Sequence, residues 1–173
     1  MSAMDHQVLF SESQIAERIK VMARQIAASP IRPEIASPIL VGGYVFAADL
    51  LRALTYHGIS LPTEFLWLRS YAGRSSTKEV SVLIGPNEKF RGKNVILVDG
   101  VLDGGHTILK ASEMVREYGA NSVQSAVIVD KMLPEGVSRA DYAAFTGVLD
   151  FIVGYGMDDS GSDRALPYVA KIG

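Results

Sequence analysis

The sequence contains no cysteine. A disulfide scaffold, a thiolate metal site and a cysteine nucleophile are therefore excluded, and a reducing compartment is compatible with the composition. Histidine is scarce as well. His6, His57 and His106 lie far apart, which argues against a multi-histidine metal site. Basic residues are not in excess: 17 Lys and Arg face 19 Asp and Glu, a formal charge of −2, so little is left over to neutralise a nucleic-acid backbone. No run approaches the ~18 apolar residues of a membrane span. The opening residues include Asp5 and lack the basic-then-apolar order of a secretory leader. These absences predict a soluble, cytoplasmic protein with neither a nucleic acid nor a membrane as partner.

What is present has globular character: 173 residues, 48% apolar and 21% charged, the size of one domain spanning residues 1–173. No internal repeat or low-complexity tract occurs. Ser11 with Gln14 three residues on is a capping box, and Phe10 with Ile15 can form a hydrophobic staple. Ile15, Ile19, Met22 and Ile26 then recur at helical spacing until Ser29-Pro30. The segment to Pro38 reads as loop and Pro38 to Val41 as a short apolar run. Gly42-Gly43 breaks that run before a helix from about Tyr44 to Tyr56. Thr63 to Tyr71 and Val80 to Ile84 read as strands of a hairpin arm with a long, mobile tip over Ala72 to Glu79. Asn94 to Val98 suits the centre of a parallel sheet. A loop with paired glycines follows, then a helix from Thr107 to about Tyr118, a strand from Ser122 to Asp130, and one more strand somewhere in Phe145 to Val153. Alternating strands and helices predict an α/β domain around a mostly parallel, twisted sheet flanked by helices. Ligands of such sheets sit beyond the carboxyl ends of the strands, here the loops after Val41, Val98 and Asp130. Trp67, the only tryptophan, is assigned to core or interface, His57 to a helix C-terminus and His6 to the surface.

The loop after Val98 is the most informative. A buried strand delivers Asp99 and Asp103, Gly104-Gly105 permits a tight turn, and Thr107 places a hydroxyl at a helix start. Free backbone N–H groups, a helix N-terminus and a hydroxyl together form a cradle suited to a phosphate. Neither the dinucleotide glycine pattern nor the Walker pattern occurs. From the loop alone, a phosphate cradle and a plain strand-to-helix turn are both open readings.

A buried strand, an acid, a short gap and then Asp103, Gly104, Gly105, His106 and Thr107 resembles the phosphoribosyl diphosphate (PRPP) motif of the type I phosphoribosyltransferases, most closely bacterial members of the hypoxanthine-guanine branch. Val41-Gly42-Gly43-Tyr44 is similar to that branch's pyrophosphate loop. Ser70-Tyr71 resembles the pair in its catalytic flexible loop, and Ile128 to Lys131 the strand carrying its purine-reading lysine. Phe151 to Asp158, followed by Arg164, resembles its base-stacking and pyrophosphate-binding tail. The resemblance covers nearly the whole chain, in order.

It implies a flexible hairpin arm, a small hood built from the N- and C-terminal segments, and a homodimer or homotetramer. It implies transfer from PRPP to hypoxanthine or guanine, giving IMP or GMP and pyrophosphate, with Mg2+ required. Asp103 would be the catalytic base. Asp99 would bind the ribose diol, and Gly104, Gly105, His106 and Thr107 the 5′-phosphate. Val41, Gly42, Ser70, Tyr71 and Arg164 would bind pyrophosphate. Lys131, Phe151, Ile152 and Asp158 would bind the purine, with Asp99 and Asp158 reaching the metal. Lys131 and Phe151 also admit plainer readings, a solvated strand-end cation and a core aromatic.

Three positions depart from the family pattern. Gly100 stands where a second acid is usual, Gly104 where Thr or Glu is common, and Val41 where many members have Lys. The missing acid opens a second reading, a non-catalytic PRPP- or nucleotide-binding regulator. It also sets an expectation: Gly100→Asp tightens magnesium-PRPP binding.

Overall fold

The structure is a computed structural model that describes residues 6–70 and 80–172. Chain order is β1 (His6–Phe10), α1 (Glu12–Ala28), β2 (Ile35–Leu40), α2 (Tyr44–Thr55), β3 (Leu66–Ser70), β4 (Val80–Ile84), β5 (Asn94–Leu102), α3 (His106–Glu117), β6 (Ser122–Asp130), β7 (Tyr142–Thr146), β8 (Ile152–Val153) and β9 (Val169–Ile172). Six strands form one sheet in the order β4-β3-β2-β5-β6-β7, and β1-β9-β8 form a second. Within the large sheet only β4 runs antiparallel to its neighbour. The expected α/β architecture is present.

The amphipathic pattern sets the layers. Ile15, Ile19, Met22 and Ile26 of α1 are buried together with Phe46, Leu50 and Leu54 of α2 against one face of the sheet. Ile108, Ala111 and Val115 of α3 cover the other face. Each fully buried Ile, Leu or Phe contributes roughly 1.5–3 kcal/mol. The capping box forms as read: the Ser11 hydroxyl accepts from the Gln14 N–H, and the Gln14 side chain accepts from the Ser11 N–H.

Several boundaries differ from expectation. β2 begins at Ile35, three residues before the predicted run, and Pro38 lies inside it although β2 is an interior strand. Proline normally breaks such a strand. Here Ala36 N–H bonds Pro62 O on the β3 side, so the nitrogen of Pro38 faces that side too. The β3 side pairs at the Ala36↔Thr63 bridge and again from Ile39↔Leu66, so no ladder bond is lost at Pro38 between them. β5 continues through Leu102, which puts Asp99 and Gly100 inside the strand and Asp103 at its exit. The apolar stretch from Phe145 to Val153 holds parts of two strands: β7 ends at Thr146, Gly147 turns at φ 77°, and β8 belongs to the second sheet. His6 is half-buried in β1 rather than on the surface, its Nε2 3.5 Å from an Asp163 carboxylate oxygen. His57 is exposed just past the end of α2.

β2 leads through α2 to β3 on one side, and β5 through α3 to β6 on the other. The chain direction therefore diverges between β2 and β5. The carboxyl ends of these two strands frame a crevice of the kind in which open α/β sheets bind ligands.

Candidate active site

A cavity of about 670 Å³ occupies that crevice. Its wall includes Val41, Gly42, Ser70, Asp99, Asp103, Gly104, Gly105, His106, Thr107, Lys131, Phe151, Ile152, Asp158 and Arg164. The structure thus brings together the residues singled out from the sequence, except Tyr71, which lies outside the described residues.

Two helices start at the cavity without a side-chain cap: α2 after Gly43 and α3 after Gly105. α1, elsewhere, carries a full capping box. The first N–H groups of a helix have no partner within it, so the two bare starts leave donors and positive dipole ends for an anion. At α3 the cradle is braced from behind. Gly105 sits at φ 85°, and a Cβ there would come within 2.8 Å of the Ser138 nitrogen. Val137 N–H donates to Gly104 O at 2.9 Å and the Ser138 hydroxyl to Gly105 O at 2.9 Å. Glycine at 105 is therefore required twice, by backbone conformation and by contact.

Gly42 and Gly43 are pressed against the end of β5. A Cβ on Gly42 would lie 3.3 Å from Asp99 Oδ1, and one on Gly43 would run into Val98 O. A Cβ on Gly100 would stand 2.9 Å from Gly42 O and 3.2 Å from Met157 Cγ, and one on Gly156 would strike the same Gly42 oxygen. Gly100 is not in the left-handed region, so contact alone, not backbone conformation, weighs against a side chain there. The place where a second acid would sit is filled by the backbone of the Gly42 turn. This sets a steric cost against the expectation that Gly100→Asp tightens magnesium-PRPP binding.

Asp99 is half-buried and accepts the Gly100 N–H at 2.7 Å. Burial pushes its carboxyl up to about 7, although that hydrogen bond favours the ionised form. Asp103 is 54% exposed at the cavity, whereas Lys131 is 11% exposed with its Nζ 3.6 Å from Asp103 Oδ1. The buried Asp130 accepts from the N–H groups of Met132 and Ala140 and so fixes the loop that presents Lys131. Lys131 N–H in turn bonds Leu102 O. Sequence reasoning missed Asp130; an acid at the end of a buried strand was the available signal.

Phe151 is 58% exposed, so it is not a core aromatic, while Ile152 beside it is buried. Asp158 and Arg164 pair at 2.7 Å, and Arg164 also donates to Gly156 O at 2.8 Å. Trp67, assigned to core or interface, is half-buried in the cavity wall with the Arg69 guanidinium 5.5 Å over its ring. Arg69 also lines the cavity and was not singled out.

The cavity therefore offers an anion cradle, an acid beside a lysine, an exposed aromatic and an acid at the sheet crevice. Known proteins resemble this chain in sequence and fold. The chain is 30% identical to the hypoxanthine phosphoribosyltransferase of Escherichia coli K12 over 96% of this chain and 94% of the relative. It is 29% identical to the hypoxanthine-guanine phosphoribosyltransferase of Dictyostelium discoideum, over 98% and 96%. The hypoxanthine phosphoribosyl transferase of Trypanosoma cruzi superposes with a TM-score of 0.87 at 27% identity, covering 100% of this chain and 93% of that one. The phosphoribosyl transferase domain family matches residues 9–160, a span containing every wall residue named above except Arg164, and the chain belongs to that family.

Proposed function

We propose that this chain is a purine salvage phosphoribosyltransferase that joins hypoxanthine or guanine to PRPP, forming IMP or GMP and releasing pyrophosphate. The observation that carries the reading is the Lys131–Asp103 pair beside the exposed Phe151, in one cavity with the cradle at the start of α3. A lysine donor and a carboxylate acceptor side by side match the O6 and N7–H edge of a 6-oxopurine. Adenine offers a donor where Lys131 needs an acceptor.

In the reaction, purine N9 bonds to C1′ of PRPP while the C1′–O bond to pyrophosphate breaks, and the leaving group takes that electron pair. The N7 proton passes to Asp103, a general-base contribution of about 10²–10⁴-fold. Phe151 stacks on the purine, with Ile152 behind it. Gly104, Gly105, His106 and Thr107 hold the 5′-phosphate. Asp99 holds the ribose hydroxyls. Val41, Gly42, Ser70, Tyr71 and Arg164 receive the pyrophosphate, for which a planar guanidinium is well suited.

Magnesium fits the donors present. Asp99 is a half-buried carboxylate with no cation partner among the described residues, and oxygen ligands suit this ion. No cluster of three or more His, Cys, Asp or Glu among the described residues could hold a metal alone, so substrate oxygens would complete its shell. Asp99 and Asp158 are the residues to hold it, and when bound it neutralises charge on the pyrophosphate. The proposal includes a homodimer or homotetramer, which sedimentation distinguishes.

The test is nucleotide formation from PRPP and magnesium with hypoxanthine, guanine, xanthine or adenine, followed by absorbance. Turnover of hypoxanthine or guanine well above adenine is expected. Binding of PRPP and IMP with no turnover of any base would overturn the transferase reading in favour of a nucleotide-binding regulator.

A further inference from the structure

The cavity wall contains three Lys or Arg residues among those described: Arg69, Lys131 and Arg164. Two are already matched to acids, Lys131 to Asp103 and Arg164 to Asp158. Arg69 makes no ion pair with any described residue, so it is the wall's uncompensated cation among them. Its place is set by strand register. Leu40 pairs with Trp67 in the parallel β2–β3 ladder, so the turn of Val41 and Gly42 leaves β2 alongside Leu68 and Arg69. Arg69 therefore stands at the bare start of α2, two strands away from the cradle on α3.

Trp67 and Arg69 share one face of β3, because strand side chains alternate, and the guanidinium lies over the indole. The indole nitrogen is buried without an acceptor among the described residues, and the ring serves as a platform for the arginine. A stacked guanidinium keeps its N–H fork free and has already lost much of its rotamer freedom. A positioned guanidinium without an ion-pair partner among the described residues, near an uncapped helix start, suits a multiply charged anion.

We propose that Arg69, held over Trp67, is a second pyrophosphate-binding cation, taking the diphosphate of PRPP at the β2–β3 edge of the cavity while Arg164 takes it from the opposite side. This rests on the transferase reading for the identity of the diphosphate. The stack itself is testable with inorganic pyrophosphate alone.

Trp67 is the only tryptophan, so the intrinsic emission of the native protein reports on this platform directly. Titration with inorganic pyrophosphate, with and without magnesium, should change that emission saturably. Arg69→Met should weaken pyrophosphate binding about 10-fold and raise the KM for PRPP by a similar factor, about the worth of one charge-assisted contact. The KM for hypoxanthine should stay within about 2-fold, a split that general loss of structure would not produce. Arg69→Lys, which keeps the charge and loses the fork, should fall between. Pyrophosphate affinity and PRPP KM unchanged in a folded Arg69→Met variant would overturn the assignment. So would emission that depends on protein concentration and ignores pyrophosphate, which would place the stack in a subunit interface. If the native protein binds pyrophosphate through Arg69 and yet forms no nucleotide, the transferase reading fails and the Arg69 assignment stands.

Discussion

Placing a side chain at Gly100 tests the geometry of the site most directly. A Cβ there meets Gly42 O at 2.9 Å and Met157 Cγ at 3.2 Å. The first partner is backbone, so either β5 or the Gly42 turn has to give way by several tenths of an ångström. That turn has little room elsewhere, since a Cβ at Gly156 would strike the same oxygen and one at Gly43 would run into Val98 O. Overpacking of this kind costs about 1–3 kcal/mol, or roughly 3–10 °C in melting temperature for a chain of this size. The displaced Gly42 belongs to the proposed pyrophosphate turn, so PRPP affinity should fall with stability. Gly100→Ala carries the contact without the charge, and Gly100→Asp carries both. Both variants should melt lower than the native protein, and calorimetric titration with magnesium-PRPP should show weaker binding in both. If Gly100→Asp binds PRPP more tightly, or Gly100→Ala melts and binds like the native protein, the Gly42 carbonyl is not fixed where the structure puts it and the reasoning fails.

Asp103→Asn should fold and bind PRPP but lose about 10²–10⁴-fold in kcat, since only the proton acceptor changes; near-native kcat would make Asp103 a turn residue. Lys131→Met should lower kcat/KM for hypoxanthine by about 10–100-fold, because O6 loses its donor and the purine edge is left unpaired; an unchanged value would remove Lys131 from the purine site. Asp99→Asn gives a pH test. The folded carboxyl is raised from 3.8 to about 7, so the stability it contributes is present in acid and is lost as pH climbs from about 4 to about 7. The asparagine variant should therefore melt higher than the native apo-protein at pH 8, with the difference shrinking towards pH 4. The shift corresponds to at most about 4 kcal/mol, and water in the open cavity reduces this to about 1–2 kcal/mol. A difference that does not depend on pH would show that Asp99 is an ordinary solvated acid.

The parts of this fold that were legible in the sequence are those whose cause is local. The Ser11–Gln14 box, the 3.6-residue recurrence from Ile15 to Ile26 and the paired glycines before Thr107 each encode their structure within one turn or one loop. β1, β8 and β9 left no comparable signal, because strands of two to five residues acquire their identity from partners at the far end of the chain. Pro38 misled for a related reason: whether a proline breaks a strand depends on which neighbour its nitrogen faces, and β3 leaves that position unpaired.

The site divides along the same line. Asp103, Lys131, Phe151 and Arg164 could be read individually, since each belongs to a short motif with its own chemistry. Gly100 could not. In sequence it is a missing acid. In the structure it is one of four glycines, with Gly42, Gly43 and Gly156, that allow three separate stretches of backbone to meet. The Gly42 carbonyl of this chain thus constrains the residue type at 100, independently of any ligand. Asp99, the acid that remains at the strand end, is raised to about 7 by burial, against the Gly100 N–H bond that favours its ionised form. A cation or a ribose diol in the cavity would relieve the cost of that burial. Ligand binding should therefore expel a proton below neutral pH and leave proton uptake unchanged at pH 8, a difference that calorimetric titration in buffers of unlike ionisation enthalpy measures directly.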